Sequence, residues 1–373
     1  MTNLLPAILL AATPHNGKSV LAYLLTRGLR QRQIDHILLR TAPDGEGDWF
    51  YESPDEVRIR LRHKGAFTAE HVARMRRAIQ NRHLPMLVDI GGKPRDDQLD
   101  LLSACTHVVH LYRDEADRSE SAQWLQERSL IPVASLQSQL HPADAIHAAN
   151  GILGGIISGL DRDHPRPGSM FDALLARVEG ICSYPKAELS ERHLAAAPAG
   201  VTLTVIDELA HAVGAVQPGG DIWFEAEHLP AILARLPAAH PLALYGRTPM
   251  WLASAIAAHA APASFYWFDA RHYGWIEPPP VTLAPAGANE EFTLTAQPEG
   301  EATRLIFASH YSDQVLFPLP IQAPALPSGS GVIFDGKMPG WLFAALARAY
   351  RHHPWLATLE PRTKNVFRFW ATP

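Results

Sequence analysis

The stretch Gly331–Phe369, GVIFDGKMPGWLFAALARAYRHHPWLATLEPRTKNVFRF, decides how the rest of the chain is read, because an altered copy of it stands about ninety positions upstream. Gly336-Lys337-x-Pro339-x-Trp341-Leu342 lies over Gly246-Arg247-x-Pro249-x-Trp251-Leu252: a glycine, a cation, a proline, a tryptophan and a leucine at the same spacing. Each copy opens on a short apolar run, Val332–Phe334 or Leu242–Leu244, passes a tight glycine–cation turn, and enters a segment whose apolar residues recur every three to four positions. In the second copy these are Trp341, Leu342, Ala345, Leu346, Ala349 and Tyr350, and Pro339 stands where a first helical turn tolerates a missing N–H. The unit reads strand, glycine turn, helix, strand.

A glycine turn that feeds a helix N-terminus presents unpaired N–H groups beside a partial positive charge, and Lys337 or Arg247 adds a full one. Such a turn suits a phosphate; an ordinary β–turn–helix connection with a solvated lysine is the plainer reading. Behind the helix the second copy carries Arg351-His352-His353-Pro354-Trp355 and a strand closing on Glu360-Pro361-Arg362. The first copy closes on Asp269-Ala270-Arg271 and has Ala260-Ala261-Pro262 where the histidines would fall.

These residues resemble the CRISPR-associated ring nucleases of the third class (the Csx-three family), small α/β proteins that bind and linearise cyclic tetra-adenylate, the second messenger of type III CRISPR defence. The family pattern is a Gly-Arg/Lys-x-Pro-x-Trp-Leu turn and helix, a histidine just before a proline, and Asp-Pro-Arg closing the next strand. Here it falls on Gly336, Lys337, Pro339, Trp341, His352 and Arg362, with Glu360 where aspartate is usual. The resemblance implies Lys337, His352, Glu360 and Arg362 as catalytic. It implies Gly336, Pro339 and Trp341, with Gly246, Arg247, Asp269 and Arg271 of the first copy, as ring-binding, and Mn²⁺ as the metal, placed by Glu360 or Asp269.

The 373 residues are enough for two or three domains with cores of their own, and 47% apolar with 19% charged residues describe a globular chain. A net charge of −5 argues against a general duplex nucleic-acid binder. Two cysteines make neither a disulfide framework nor a thiolate zinc site, and no basic leader or membrane-length apolar run is evident, so a cytoplasmic protein is expected.

At the N-terminus, the apolar run Leu4–Ala12, the loop Thr13-Pro14-His15-Asn16-Gly17-Lys18-Ser19 and the helical run from Val20 form the context of a phosphate-binding loop, with Ala12 where the strict motif has glycine. Asn16, Gly17, Lys18, Ser19 and Val20 are therefore expected at ATP. Ser19, together with Asp89 at the end of the strand Leu84–Asp89, is expected at Mg²⁺. Strands expected at 34–40, 106–112 and 131–134 alternate with helical patterns at 68–80, 98–103 and 115–127, which argues a mainly parallel sheet covered by helices. The acidic loop Pro43–Trp49 and the alternating arginines of Val57–Arg62 read as a solvated loop and a charged edge strand, or as a metal or acceptor loop and a polyanion strip. This region resembles the P-loop domain, often labelled AAA-like, that is fused to the same family.

The expected organisation is an α/β chain: a P-loop nucleotide-binding domain over 1–160, a first and degenerate ring-nuclease-like copy over 169–277, and a second over 290–373. Polar, proline-rich linkers are expected at 161–168 and 278–289. A ring nuclease with an accessory ATP-binding domain is the first functional reading. A cyclic-oligoadenylate sensor that regulates an ATPase or small-molecule kinase is the second, and an unrelated P-loop kinase with a duplicated packing module the third. A twofold messenger ring suits paired copies, within one chain or in a homo-oligomer.

Overall fold

The structure, a computed structural model, describes residues 4–42, 68–91, 94, 98–126, 128–141, 144–149, 151–271, 273–285, 287–310, 318–359 and 365–372. The acidic loop at 43–49, the arginine strip at 57–62, Glu360 and Arg362 lie outside the described residues. Contacts divide the chain into two compact units, one built chiefly on Met1–Arg192 and the other on the chain from His193 onward.

The first unit runs β1 (Ala7–Ala12), α1 (Lys18–Gln31), β2 (Ile37–Arg40), α2 (Ala69–Gln80), β3 (Met86–Asp89), α3 (Leu99–Ser103), β4 (His107–Tyr112), α4 (Glu115–Gln126), β5 (Ile131–Gln139), β6 (Ala145–Ala149), β7 (Ile152–Ser158) and α5 (Ser169–Cys182). Helix α6 (Lys186–Ala195) follows. Its sheet has the order β2-β3-β1-β4-β5-β7-β6 and is parallel except for the β6–β7 hairpin. Every residue of β1 is buried, as a continuous apolar strand covered on both faces requires. Leu21, Leu25 and Leu29 of α1 and Met170, Leu174 and Val178 of α5 close one core with Ile8, Leu10 and Val109 of the sheet.

The chain therefore departs from the expected division at 160. Residues 161–168 do not act as a linker: Leu160 is in the core, the Arg166 N–H donates to the Gly159 carbonyl at 2.9 Å, and α5 packs against α1. The apolar run from Gly151 is β7, an inner strand, and β6 beside it is a strand that periodicity does not announce.

The second unit runs β8 (Thr202–Val205), α7 (Ile206–Val213), α8 (Leu229–Leu233), β9 (Leu242–Tyr245), α9 (Met250–Ala260), β10 (Phe265–Asp269), β11 (Gly274–Ile276), β12 (Val281–Ala284), β13 (Gly287–Ala288), β14 (Phe292–Glu299), β15 (Ala302–Ser309), β16 (Ile321–Pro324), β17 (Gly331–Asp335), α10 (Gly340–Ala349), β18 (Trp355–Leu359) and β19 (Val366–Ala371). The segment expected as the second linker thus holds β12 and β13, and β12 pairs in parallel with β16. One sheet is ordered β11-β10-β9-β8 and another β13-β14-β15-β17-β18-β19. In both, the strand before the glycine turn is flanked by two parallel neighbours, and the strand after the helix pairs with the next one antiparallel. Helix α9 packs on α10, and Trp251 of α9 stacks on Phe367 of β19 with ring centroids 4.3 Å apart. Among the described residues no helix is long and apolar enough to cross a membrane.

Candidate functional site

In the first unit the carboxyl ends of β2, β3 and β1 stand side by side, with Arg40 and Leu10 both in register with Asp89. Past the end of β1 the chain turns through His15 at φ 67° and Gly17 at φ 73°, and α1 begins at Lys18. Gly17 is in the left-handed region, where a side chain is strained, and a Cβ there would lie 2.6 Å from the Leu160 side chain. The N-cap of α1 is Gly17, which has no side chain to bond the helix's first N–H groups, and since these have no intrahelical partner either, the helix start suits phosphate.

Two buried acids hold the loop. Lys18 Nζ donates to Asp89 Oδ1 at 2.6 Å, Arg40 Nη1 reaches Asp89 Oδ2 at 3.3 Å, and the Gly91 N–H reaches Oδ1 at 3.2 Å. Burial by itself would raise the Asp89 carboxyl, but Lys18, Arg40 and these hydrogen bonds outweigh it and hold the group below its ordinary value. On the other side of β1, Asp117 of α4 accepts from Thr13 Oγ1 at 2.5 Å, Asn16 Nδ2 at 2.7 Å and the Arg113 N–H at 2.8 Å. Burial pushes its carboxyl up, and the bonds from Thr13, Arg113 and Asn16 bring it lower overall.

Behind Asp117, the Ser121 hydroxyl donates to the Asp117 carbonyl at 2.6 Å, so His110 Nε2, 2.6 Å from that hydroxyl, is its donor. Burial is the main reason the His110 imidazole is pushed down to about 4, with Arg118 adding to it. A histidine kept neutral by folding binds a proton more readily when unfolded, so stability is complete above about pH 6.5 and falls as the pH drops towards 4. Denaturant unfolding is expected to show a loss of about 3 kcal/mol between pH 7 and pH 4, with His110→Gln flattening that slope. Asp89 and Asp117, both lowered, contribute further loss only below about pH 4.

Of the expected residues, the structure joins Lys18 to Asp89, with Gly17 and Ser19 beside Lys18 in the chain, while Asn16 turns to Asp117. Ser19 is half-buried in the first turn of α1. A hydroxyl and a carboxylate are hard oxygen ligands of the kind Mg²⁺ takes, so Ser19 and Asp89 are the residues that could hold it in this unit. Val20 differs: its side chain lies in the core, which leaves only its backbone for a ligand. Sequence reasoning missed Thr13, Arg40 and Asp117; the only signal for Arg40 is a cation closing an apolar strand.

In the second unit the two glycine turns are alike. Gly246 has φ 115° and Gly336 φ 122°, Arg247 and Lys337 are exposed, Pro249 and Pro339 are the N-caps, and Trp251 and Trp341 are the second helical residues. A Cβ on Gly336 would approach the Phe307 carbonyl to 2.9 Å in a backbone region that L side chains avoid.

Trp341 is not a ligand platform, contrary to expectation. It is 1% exposed, and burying a tryptophan contributes on the order of 5 kcal/mol to the core, so the fold would have to open to present it. Of the paired histidines, His353 is the buried one, with Nδ1 2.9 Å from the Ser330 carbonyl, and burial is the main reason its imidazole lies below its ordinary value. His352 is exposed. It follows the last turn of α10, whereas Lys337 precedes the first, so the ten helical residues separate the two by about 15 Å. The structure does not gather Lys337 and His352 at one point. Asp269 is half-buried at the end of β10, and Arg271 is exposed in the turn beyond it.

Two arginines, Arg348 in the last turn of α10 and Arg351 just after it, have a different task that periodicity does not reveal. Arg351 Nη1 donates to the Ala261 carbonyl at 2.7 Å, and Arg348 Nη1 reaches the Ala257 carbonyl at 3.3 Å. These bonds satisfy carbonyls at the C-terminal end of α9 and tie the second helix to the first.

Residues 314–367 match the family model of CRISPR-associated protein (Cas_csx3). That segment takes in Gly336, Lys337, His352, Glu360 and Arg362 and leaves out the first glycine turn. No curated protein matches the chain. Among solved structures, cell division protein FtsY from Thermotoga maritima aligns over 49% of this chain and 70% of its own at 14% identity, with a TM-score of 0.26, a likeness too loose to argue from. Among the described residues, no group of three or more histidine, cysteine, aspartate or glutamate side chains is arranged to hold a metal ion.

Proposed function

We propose that the protein is a type III CRISPR accessory factor whose second unit binds cyclic tetra-adenylate and linearises it slowly with Mn²⁺, and whose first unit binds ATP with Mg²⁺. The observation that carries this reading is the match of residues 314–367 to a CRISPR-associated family, over the segment that holds a left-handed glycine, an exposed cation and a helix start. Two such turns, at Gly246 and Gly336, on helices that pack together offer paired anion sites to a ligand that repeats the same phosphate. The matching strand order around each turn supports reading the unit as two copies of one module.

Cleavage of such a ring needs its ribose 2′-OH aligned on the neighbouring phosphate, a group to move a proton, and cations for the developing charge. His352 is the exposed proton carrier, Lys337 and Arg362 are the cations, and Glu360 with Asp269 would place the metal. Since Lys337 and His352 occupy opposite ends of α10, one scissile phosphate meets both only if a second molecule of the chain supplies one of them. That requirement favours a homo-oligomer.

A second reading, in which the second unit only senses the ring and regulates the P-loop unit, is favoured by the same separation. Incubating labelled cyclic tetra-adenylate with the protein and Mn²⁺, with and without ATP, distinguishes them by chromatography of ring and linear products. Linear product supports cleavage. A ring that binds but stays intact leaves the sensor, and a ring that does not bind ends both.

A further inference from the structure

We propose that Asp117 is a positioning residue of the nucleotide site in the first unit: it holds the Thr13 and Asn16 side chains, and through them keeps the turn at His15 in the hand that a phosphate cradle needs. The proposal rests on reading Gly17-Lys18-Ser19 as a phosphate-binding loop.

The turn reverses its hand from one residue to the next. His15 has φ 67° and Gly17 φ 73°, and Asn16 between them is not in the left-handed region. Backbone that alternates in this way brings successive N–H groups round one concavity, which takes an anion. Gly17 adopts its conformation freely, but His15 carries a side chain that is strained there. A strained residue persists only where its surroundings over-determine it.

Asp117 supplies that constraint from α4. Thr13 Oγ1 donates to Asp117 Oδ1 at 2.5 Å and Asn16 Nδ2 to Oδ2 at 2.7 Å, and Asn16 Nδ2 lies 2.8 Å from Thr13 Oγ1, so the residues on either side of Pro14-His15 close into a ring across one carboxylate. All three members of the ring are buried. The carboxyl lies below its ordinary value, so at neutral pH it is ionised and both oxygens accept charge-assisted bonds. Asp117 is itself fixed: its N–H donates to Asp114 Oδ1 at 2.9 Å, and its carbonyl accepts from Ser121 Oγ at 2.6 Å. The Asn16 amide therefore serves the nucleotide through Asp117 and not by touching it.

Without the carboxylate the turn relaxes at His15, and only a fraction of the molecules hold the cradle at any moment. Apparent affinity falls by that fraction. The loss is common to every nucleotide that seats a phosphate in the cradle, so triphosphate and diphosphate suffer alike.

Calorimetric titration of the full chain with Mg-ATP and with Mg-ADP tests this. Asp117→Ala is expected to weaken both by a similar factor, roughly 5- to 100-fold, which is the strain of one left-handed residue expressed as affinity. Asp117→Asn, of the same size but with one acceptor oxygen, guards against a folding defect and is expected to lie between Asp117→Ala and the wild type. The deciding step adds His15→Gly to each variant: glycine takes the left-handed conformation without a clamp, so both affinities should recover in large part. A merely structural aspartate would give no such rescue. If the Asp117 variants bind both nucleotides as the wild type does, or if His15→Gly restores nothing, Asp117 serves the fold alone and the proposal is overturned. If the wild type binds neither nucleotide, the phosphate-loop reading itself has failed, an outcome visible before any variant is made.

Discussion

Lys18→Ala is expected to lower Mg-ATP affinity by roughly 10²- to 10³-fold, because it removes the charged donor that the proposed phosphate loop would aim at the outer phosphates. The same change acts on the ligand-free protein. Asp89 is 4% exposed and has Lys18 Nζ at 2.6 Å, so truncation leaves a buried carboxylate with Arg40 at 3.3 Å as its remaining cation among the described residues. Breaking a buried pair from one side costs about 3–5 kcal/mol, and Arg40 offsets part of it. Lys18→Met, similar in length but neutral, and Lys18→Ala with Asp89→Asn separate the two effects. Neutralising Asp89 as well should restore much of the stability and none of the ATP affinity. Equal ATP binding by Lys18→Ala and wild type in calorimetry would remove the nucleotide-binding reading.

That site was legible because its chemistry is local. A buried strand, a glycine in a left-handed turn and a lysine opening a helix are neighbours in the chain, and Asp89 is announced by the apolar run that it ends. Arg40 meets Asp89, and Asp117 meets the loop, only through tertiary folding across 49 and 101 residues, and spacing along the chain carries no trace of it. The loop at 161–168 was hidden for another reason. Its polar, proline-rich composition suits a linker and a surface loop equally, and only the backbone bond from Arg166 to Gly159 makes it the latter. In the second unit, helix spacing located α10 but could not tell which of two adjacent histidines faces inward, nor that Trp341 is core. The ligand-facing tryptophan was an expectation carried by resemblance, and burial corrects it.

His352→Ala is expected to slow linearisation of cyclic tetra-adenylate by roughly 10²- to 10⁴-fold while the ring still binds, since a positioned proton carrier contributes about that much to a rate and little to ground-state affinity. Exposure favours His352 over its neighbour: His353 is 1% exposed and engaged with the Ser330 carbonyl, so His353→Ala should act on stability and leave the residual rate per folded molecule unchanged. Lys337→Ala should do the converse of His352→Ala and weaken ring binding, because its charge sits just before the start of α10, where the proposed reading would hold the phosphate before and during the reaction. The distance between the two residues adds a sharper test. Mixing the slowed His352→Ala with the weakly binding Lys337→Ala restores cleavage if one chain's histidine serves another chain's lysine turn, as the roughly 15 Å length of α10 favours. If His352→Ala cleaves at the wild-type rate, the histidine is a solvated turn residue; if the mixture cleaves no faster than the variants alone, the histidine and the lysine of different chains do not share a site.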